Sequence, residues 1–256
     1  MTENQYAVVM AAGKGTRMKS ELPKVLYPVC GRPMIEYVLD TLEKANIGKV
    51  VVVVGYRSDL VRKTLAPRLH RNHLVFVEQT EQLGTGHAVM VCRNELQNHT
   101  GATLVVAGDC PMIQVESILK LFEAYTSNEK PEQISLPSCI LGTVIKDDPV
   151  GLGRIVRNRE GEFVGIVEEK DANTEQKRIK EVNMSYYVFH TPDLLNALNH
   201  LRTDNAQKEY YVTDVPAVMK SQGQRVIALP VLKPIESLGI NTVDEAKIVE
   251  AALQNL

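Results

Sequence analysis

Residues 6–18 read Tyr6-Ala7-Val8-Val9-Met10-Ala11-Ala12-Gly13-Lys14-Gly15-Thr16-Arg17-Met18, with Leu22-Pro23-Lys24 close behind. The run from Tyr6 to Ala12 is apolar without alternation, as in a strand buried on both faces, and two glycines then break it. A glycine turn after such a strand exposes backbone N–H groups to phosphate oxygens, while Arg17 and Lys24 can neutralise the charge of a triphosphate. The competing reading is an ordinary strand-to-helix turn flanked by two surface cations. Two familiar phosphate motifs do not fit. A dinucleotide fingerprint needs a small residue where Met18 stands and an acidic residue about 20 positions on at a strand end, whereas Asp40 falls inside a predicted helix. A P-loop needs Lys and then Ser or Thr directly after its second glycine, and Gly15 is followed by Thr16-Arg17.

Outward from this segment, Val50 to Val54, Leu74 to Val77 and Thr103 to Ala107 are further buried strands. Helical patterns separate them. One opens at Pro33 and runs through Asn46, one is capped by Ser58 and runs to Ala66, a third covers Thr85 to Leu96, and another starts at Val115. This alternation predicts an α/β fold, doubly wound around a mixed, mainly parallel sheet, with sites at the carboxyl ends of its strands. After about Pro149 the texture changes. Arg154 to Val156, Phe163 to Val167 and Val182 to Phe189 are closely spaced, with a turn at Arg159-Glu160-Gly161, and predict a small antiparallel insertion in the C-terminal half. Helices return at Pro192 to Leu201, Tyr211 to Gln222 and Val243 to Leu253, around a strand at Val226 to Val231. No repeat, low-complexity tract or linker interrupts residues 1–256, so both halves are expected to share one sheet in a single domain.

Hydrophobic residues make up 44% of the chain and charged ones 23%, ordinary globular usage that argues against disorder. The net charge of -2, with Lys and Arg scattered, argues against nucleic acid, which takes a concentrated basic face. Polar residues open the chain and only a short apolar run precedes Gly13, so neither a signal peptide nor a membrane span is read there. A cytoplasmic protein without a membrane partner is the expectation. Cys30, Cys92, Cys110 and Cys139 lack C-x-x-C spacing, which predicts reduced, mostly buried thiols.

Two more strand ends carry chemistry. Gly108-Asp109 follows the apolar run Leu104 to Ala107, and a carboxylate there is placed to hold a hard cation such as Mg²⁺ against substrate phosphates. Its plainer role is a turn or cap before the helix at Val115. Gln79-Thr80-Glu81-Gln82-Leu83-Gly84-Thr85-Gly86-His87-Ala88 again joins strand to helix. An amide such as Gln79 suits a base edge, and glycines let backbone approach a flat ring. His87 reads as a packed or capping histidine rather than a general base.

In order and spacing these elements resemble the nucleotidyltransferase domain of the bacterial bifunctional N-acetylglucosamine-1-phosphate uridylyltransferases. A-A-G-x-G-T-R-M followed by L-P-K is the general sugar-nucleotidyltransferase pattern. Q-x-E-Q-L-G-T-G-H-A from Gln79, D-D-P-x-G-x-G-R-I from Asp147, G-I-V-E-x-K-D-A from Gly165 and N-A-Q-x-E-Y-Y-x-T-D from Asn205 point to this family. The likeness runs from about Ala7 to Asn241. It implies a nucleotide-diphospho-sugar transferase-like fold in which residues 1–148 bind mainly nucleotide and 149–256 mainly sugar. The implied reaction joins UTP to N-acetylglucosamine-1-phosphate, giving UDP-N-acetylglucosamine and pyrophosphate. Met10, Ala11, Ala12, Gly13, Lys24, Gln79, Gly84, Thr85, Gly108 and Asp109 are the implied nucleotide site. Gly153, Glu168 and Asn183, with Thr213 as a weaker candidate, are the implied sugar site. Arg17 and Lys24 are the implied catalytic contacts to phosphate, and Asp109 with Asn241 the implied Mg²⁺ ligands.

The chain departs from the pattern in three places. Ala107 stands where Tyr usually precedes Gly-Asp, and Met184-Ser185 where Thr-Gly is usual. The chain ends at Leu256 without hexapeptide repeats, so no acetyl transfer and no family-type trimer are expected, and the oligomeric state is left open. A nucleotidyltransferase for another sugar-1-phosphate or base, or a noncatalytic nucleotide-sugar sensor, are the alternatives.

Overall fold

The valine runs read from the sequence form the centre of one sheet. The computed structural model describes residues 4–70, 73–127 and 136–255. In chain order the strands are β1 Tyr6–Met10, β2 Pro28–Val29, β3 Arg32–Pro33, β4 Lys49–Val54, β5 Val75–Glu78, β6 Ala102–Ala107, β7 Cys139–Ile145, β8 Gly153–Arg157, β9 Phe163–Val167, β10 Glu181–His190 and β11 Val226–Leu229. The helices are α1 Met34–Lys44, α2 Ser58–Leu65, α3 Thr85–Met90, α4 Arg93–Leu96, α5 Val115–Ser127, α6 Thr191–Ala197, α7 Val215–Ser221 and α8 Val243–Leu253.

The main sheet has the order β11-β7-β10-β6-β1-β4-β5, with the hairpin β8–β9 joined to β10 and a separate small hairpin formed by β2 and β3. β1 lies parallel to both β4 and β6, β5 is parallel to β4, and β11 is parallel to β7. β10 runs antiparallel between β6 and β7. The mixed, mainly parallel sheet is as expected, but the antiparallel component is not all peripheral. Residues 182–189 belong to a central strand, and only the β8–β9 hairpin projects from the sheet. β7 escaped the sequence reading because Gly142 and Thr143 interrupt its apolar run. A Cβ at Gly142 would come within 2.9 Å of Leu232 Cδ2, so glycine leaves room for that side chain.

Side chains alternate across the sheet with the period of two that a strand imposes. Ala7, Val9, Val50, Val52, Leu104 and Val106 pack on the face covered by α1, α2 and α5. Val8, Val51, Val53 and Val105 pack on the opposite face with residues of α3, α4, α6 and α7. Buried on both faces, the central strands read as unbroken apolar runs for this reason. A third cluster joins Met18, Val29, Met34, Met112 and Ile240 to Ala246 and Val249 of α8. It brings the glycine turn against the C-terminal segment.

Several helices are shorter than their periodicity predicts. Pro33 pairs in the β2–β3 hairpin, so α1 begins at Met34. The stretch from Thr85 divides into α3 and α4. The pattern from Tyr211 opens with a 3₁₀ turn, Val212–Asp214, before α7, and the pattern from Pro192 ends in another, Leu198–His200. The chain leaves β1 through α1 on one face to reach β4, and enters β6 from α3 and α4 on the other. A crevice at the carboxyl end of β1 is the consequence of such a reversal.

Candidate active site

β1 and β6 end side by side, Met10 facing Ala107 in register. The Gly108 N–H donates to the Met10 carbonyl at 2.9 Å, and a Cβ at Gly108 would crowd that oxygen and Val25 Cγ1 at 3.2 Å. Glycine therefore lets the chain turn tightly and lift Asp109 above the strand end. Gly15 serves a similar purpose, with φ +67° and a hypothetical Cβ only 2.5 Å from Lys24 Cβ. The glycine turn lies directly on the stem of Lys24, whose neighbours Val25 and Leu26 are buried in the core.

Four charged or polar groups meet here. Lys24 Nζ donates to Asp109 Oδ2 and, at 2.8 Å, to Asn241 Oδ1. Arg17 Nη2 also donates to Asn241 Oδ1 at 2.8 Å, across 224 positions of sequence. The Lys24 side chain is 14% exposed and that of Asp109 26%, so the pair sits at the floor of a cleft open to solvent. The sequence cast Arg17 and Lys24 toward phosphates and Asp109 and Asn241 toward a cation; the fold joins all four in one network.

An Asp109 oxygen and an Asn241 oxygen accept from the same ammonium, so both reach a single cation. Among the described residues no group of three or more His, Cys, Asp and Glu converges as a metal cage. One carboxylate and one amide oxygen fit Mg²⁺, which keeps most of its octahedral positions for phosphates and water.

The cleft has a volume of about 510 Å³ and is lined by Met10, Ala11, Ala12, Gly13, Arg17, Lys24, Gln79, Gly84, Thr85, Asp109, Asn183 and Asn241 among the residues expected there. Gly108 lies beneath Asp109 rather than in the wall. Gly153, Glu168 and Thr213 stand behind Asn183, outside the lining. A Cβ at Gly153 would lie 3.6 Å from both Asn183 Cβ and Glu168 Oε1, so these residues form one cluster. Burial pushes the Glu168 carboxyl up, and the charges of Asp214 and Asp171 add to it. Asp214 is pushed up to about 6 by burial and by Asp171.

Gln79 is buried at the base of its loop. Its Nε2 donates to the Gly84 carbonyl at 3.0 Å and meets His87 Nδ1 at 3.1 Å, which agrees with a packed His87. Gly84 and Gly86 have no room for a side chain because the backbone of Tyr210 lies against them, with its oxygen 2.6 and 3.0 Å from the two hypothetical Cβ atoms. Gly86 N–H donates to the Tyr210 carbonyl at 2.7 Å and Val212 N–H to Thr85 Oγ1 at 3.0 Å. The glycines thus seat this loop on the segment 209–212, where the sequence suggested approach to a flat ring.

Sequence reasoning did not select Gln82, Gly151, Leu152, Met184, Ser185 or Glu209 as site residues, yet all line the cleft. Gln82 and Glu209 lie inside the quoted motifs, and Gln82 Nε2 donates to the Ala12 carbonyl at 3.0 Å. Ser185 has φ +59° at a bulge where the β10–β7 register jumps from Asn183 to Tyr186. Its N–H donates to Asn183 Oδ1 at 3.2 Å and so orients that amide. Nothing in the spacing announces a bulge. Cys92, Cys110 and Cys139 are buried and Cys30 is exposed, all four free. Burial raises the Cys92 thiol to about 12. Among the described residues no helix is long and apolar enough to cross a membrane.

Residues 7–211 match the family model of the MobA-like NTP transferase domain. "Bifunctional protein GlmU" of Streptococcus gordonii is 45% identical over 236 residues, covering 92% of this chain and 49% of that protein. The protein of the same name from Streptococcus pyogenes serotype M1 is 43% identical over 249 residues, covering 97% and 52%. The chain therefore spans about half the length of the curated relatives it matches. Two solved structures superpose over 98% of both chains: apo UDP-glucose pyrophosphorylase, at TM-score 0.74 and 16% identity, and UDP-glucose pyrophosphorylase complexed with UDP-glucose, at 0.73 and 20%. At these identities the likeness is one of fold.

Proposed function

This chain belongs to the family of MobA-like NTP transferase domains, and on that premise we propose that it transfers a uridylyl group from UTP to N-acetylglucosamine-1-phosphate. The observation that carries the reading is the convergence of Arg17 and Lys24 from the loop after β1, Asp109 from the end of β6 and Asn241 from the segment before α8 at the floor of one cleft. Residues 1–148 supply the nucleotide side and 149–256 the sugar side of a single domain.

The backbone of residues 10–13, with Gln79, Gly84 and Thr85, holds the nucleotide. Asn183, backed by Gly153, Glu168 and Thr213, holds the amino sugar. An ionised oxygen of the sugar phosphate attacks the α-phosphorus of UTP in line with departing pyrophosphate. The nucleophile is already an anion, so positioning and charge neutralisation are needed more than a general base. Lys24 and Arg17 provide that neutralisation: the ammonium as a point charge, the guanidinium as a fork across two phosphate oxygens. Asp109 and Asn241 would hold Mg²⁺, which when bound there would supply charge compensation for the α-phosphate.

The test is pyrophosphate release with UTP, Mg²⁺ and N-acetylglucosamine-1-phosphate, against glucose-1-phosphate and CTP as competitors. The named pair is expected to have the highest kcat/KM. UTP binding without turnover of any pair would instead make the protein a nucleotide-sugar sensor.

A further inference from the structure

Asp109 and Asn241 lie on loops that share a buried anchor. Asp109 opens the turn 109–114 that leads into α5, and Asn241 closes the segment 233–241 that leads into α8. Glu236, in the 3₁₀ turn Pro234–Ser237 of the second segment, is 0% exposed. Its Oε1 accepts the Gln114 N–H at 3.0 Å; its Oε2 accepts the Ser117 hydroxyl at 2.5 Å and the Lys233 N–H at 2.8 Å. One carboxylate thus binds the end of the Asp109 turn, the first turn of α5 and the start of the Asn241 segment.

All three partners donate, so an ionised carboxylate satisfies them and an amide or a neutral acid would set a donor against a donor. Burying a carboxylate is costly unless it is satisfied in this way. A local cap needs partners on one element only. Glu236 caps its own turn through Lys233 and also bridges to the second loop, whose Met112 belongs to the same core cluster as Ile240. Beyond it, Glu245 Oε2 accepts the N–H of Asn241 at 2.6 Å and of Thr242 at 2.9 Å, which fixes the far end of the segment. The loops that carry Asp109 and Asn241 are thus tied together through Glu236 at Gln114 and Lys233, while Glu245 fixes Asn241 itself.

We propose that Glu236 is a positioning residue that holds Asp109 and Asn241 at the spacing their shared divalent cation requires, an inference that rests on the Mg²⁺ role proposed above. Groups hydrogen-bonded to a metal's direct ligands commonly govern its affinity by about 10- to 100-fold, and a group that acts through the ligand loops belongs at the lower end of that range. Glu236→Gln keeps the shape of the side chain and should raise the Mg²⁺ concentration for half-maximal activity about tenfold, with kcat largely recovered at saturating Mg²⁺.

The experiment measures UTP binding by calorimetry across a Mg²⁺ series, together with activity over the same series. Wild type, Glu236→Gln, Ser117→Ala and Val61→Ala are compared. Ser117→Ala removes a single bond to the carboxylate and should move the Mg²⁺ midpoint in the same direction by less, which decides the matter if Glu236→Gln does not fold. Val61→Ala, a core truncation in distant α2, should lower the melting temperature and leave the midpoint where it is. Wild-type Mg²⁺ dependence in both Glu236→Gln and Ser117→Ala, or an equal shift in Val61→Ala, overturns the positioning role. Absence of any Mg²⁺ effect on UTP binding by the wild type would overturn the metal reading beneath it.

Discussion

The two walls of the cleft are built by different means. On the side of β1, β4, β5 and β6, parallel strands all finish at the same edge, and each candidate residue follows its strand within a few positions: Met10 to Gly13, Gln79 to Thr85, Asp109. On the other side, β10 runs against them. Its beginning, with Asn183 third in the strand, reaches the edge where its neighbours end. Glu168 follows β9, Gly153 opens β8 and Asn241 sits in the coil before α8. The rule that α/β sites gather at the carboxyl ends of strands holds for the parallel wall; an antiparallel strand supplies the same edge from its amino end. The first wall comes from loops that follow parallel strands, whereas the second gathers motifs at 147–155, 165–172 and 205–214 together with the isolated Asn183 and Asn241.

The sharpest break between the walls is expected from Asp109→Asn, which keeps the size of the side chain and removes the anion facing Lys24. Turnover should fall about 10³-fold with little change in melting temperature, on the scale of losing a principal electrostatic group. Wild-type activity and Mg²⁺ dependence in this variant would return Asp109 to the role of a turn residue. Lys24→Ala should lower kcat/KM about 10²-fold, again at nearly constant stability. Normal kinetics would remove Lys24 from the site.

Behind the wall formed by β8, β9 and β10 the effects should appear in stability and its pH dependence. Asp214 is raised from 3.8 to about 6 in the folded protein, so folding retains a proton that the unfolded chain releases. Stability contributed by the protonated acid is present below about pH 4 and is lost as pH rises through about 6. Asp214→Asn should therefore raise stability at pH 8 by on the order of 2 kcal/mol and leave it nearly unchanged at pH 4. Denaturant unfolding at both pH values measures this, and an equal gain at both would assign the effect to packing.

Asn183→Ala is expected to raise KM for the sugar phosphate about tenfold while KM for UTP stays put, the size of one lost polar contact. A change in the UTP constant alone would place Asn183 on the nucleotide wall. The smallest effect belongs to the bulge. Ser185→Gly relieves a left-handed conformation that costs a residue with a Cβ about 1 kcal/mol, and the melting temperature should rise accordingly. If the hydroxyl also contacts the sugar, the more stable variant will discriminate less between sugar phosphates, which steady-state kinetics can read from the same preparations.

The strands β1, β4, β5 and β6 and the motif loops behind them were legible because local physics writes them. A strand buried on both faces must be apolar throughout, and a loop that presses on its neighbour must carry glycine, as Gly15 does on Lys24 and Gly84 on Tyr210. The resemblance to a nucleotidyltransferase likewise rested on contiguous stretches, residues 11–18, 22–24, 79–88, 147–155, 165–172 and 205–214. What no stretch carried was the pairing of stretches. That β10 enters the main sheet, that Asn183 ends against a bulge, and that Lys24 meets Asp109 and Asn241 across 85 and 217 positions are results of packing three apolar clusters around one sheet. Sequence determines which groups are present and which local turns they can make. The separation of groups on different loops is decided by long-range burial, in which a residue such as Glu236 has no local pattern to announce it.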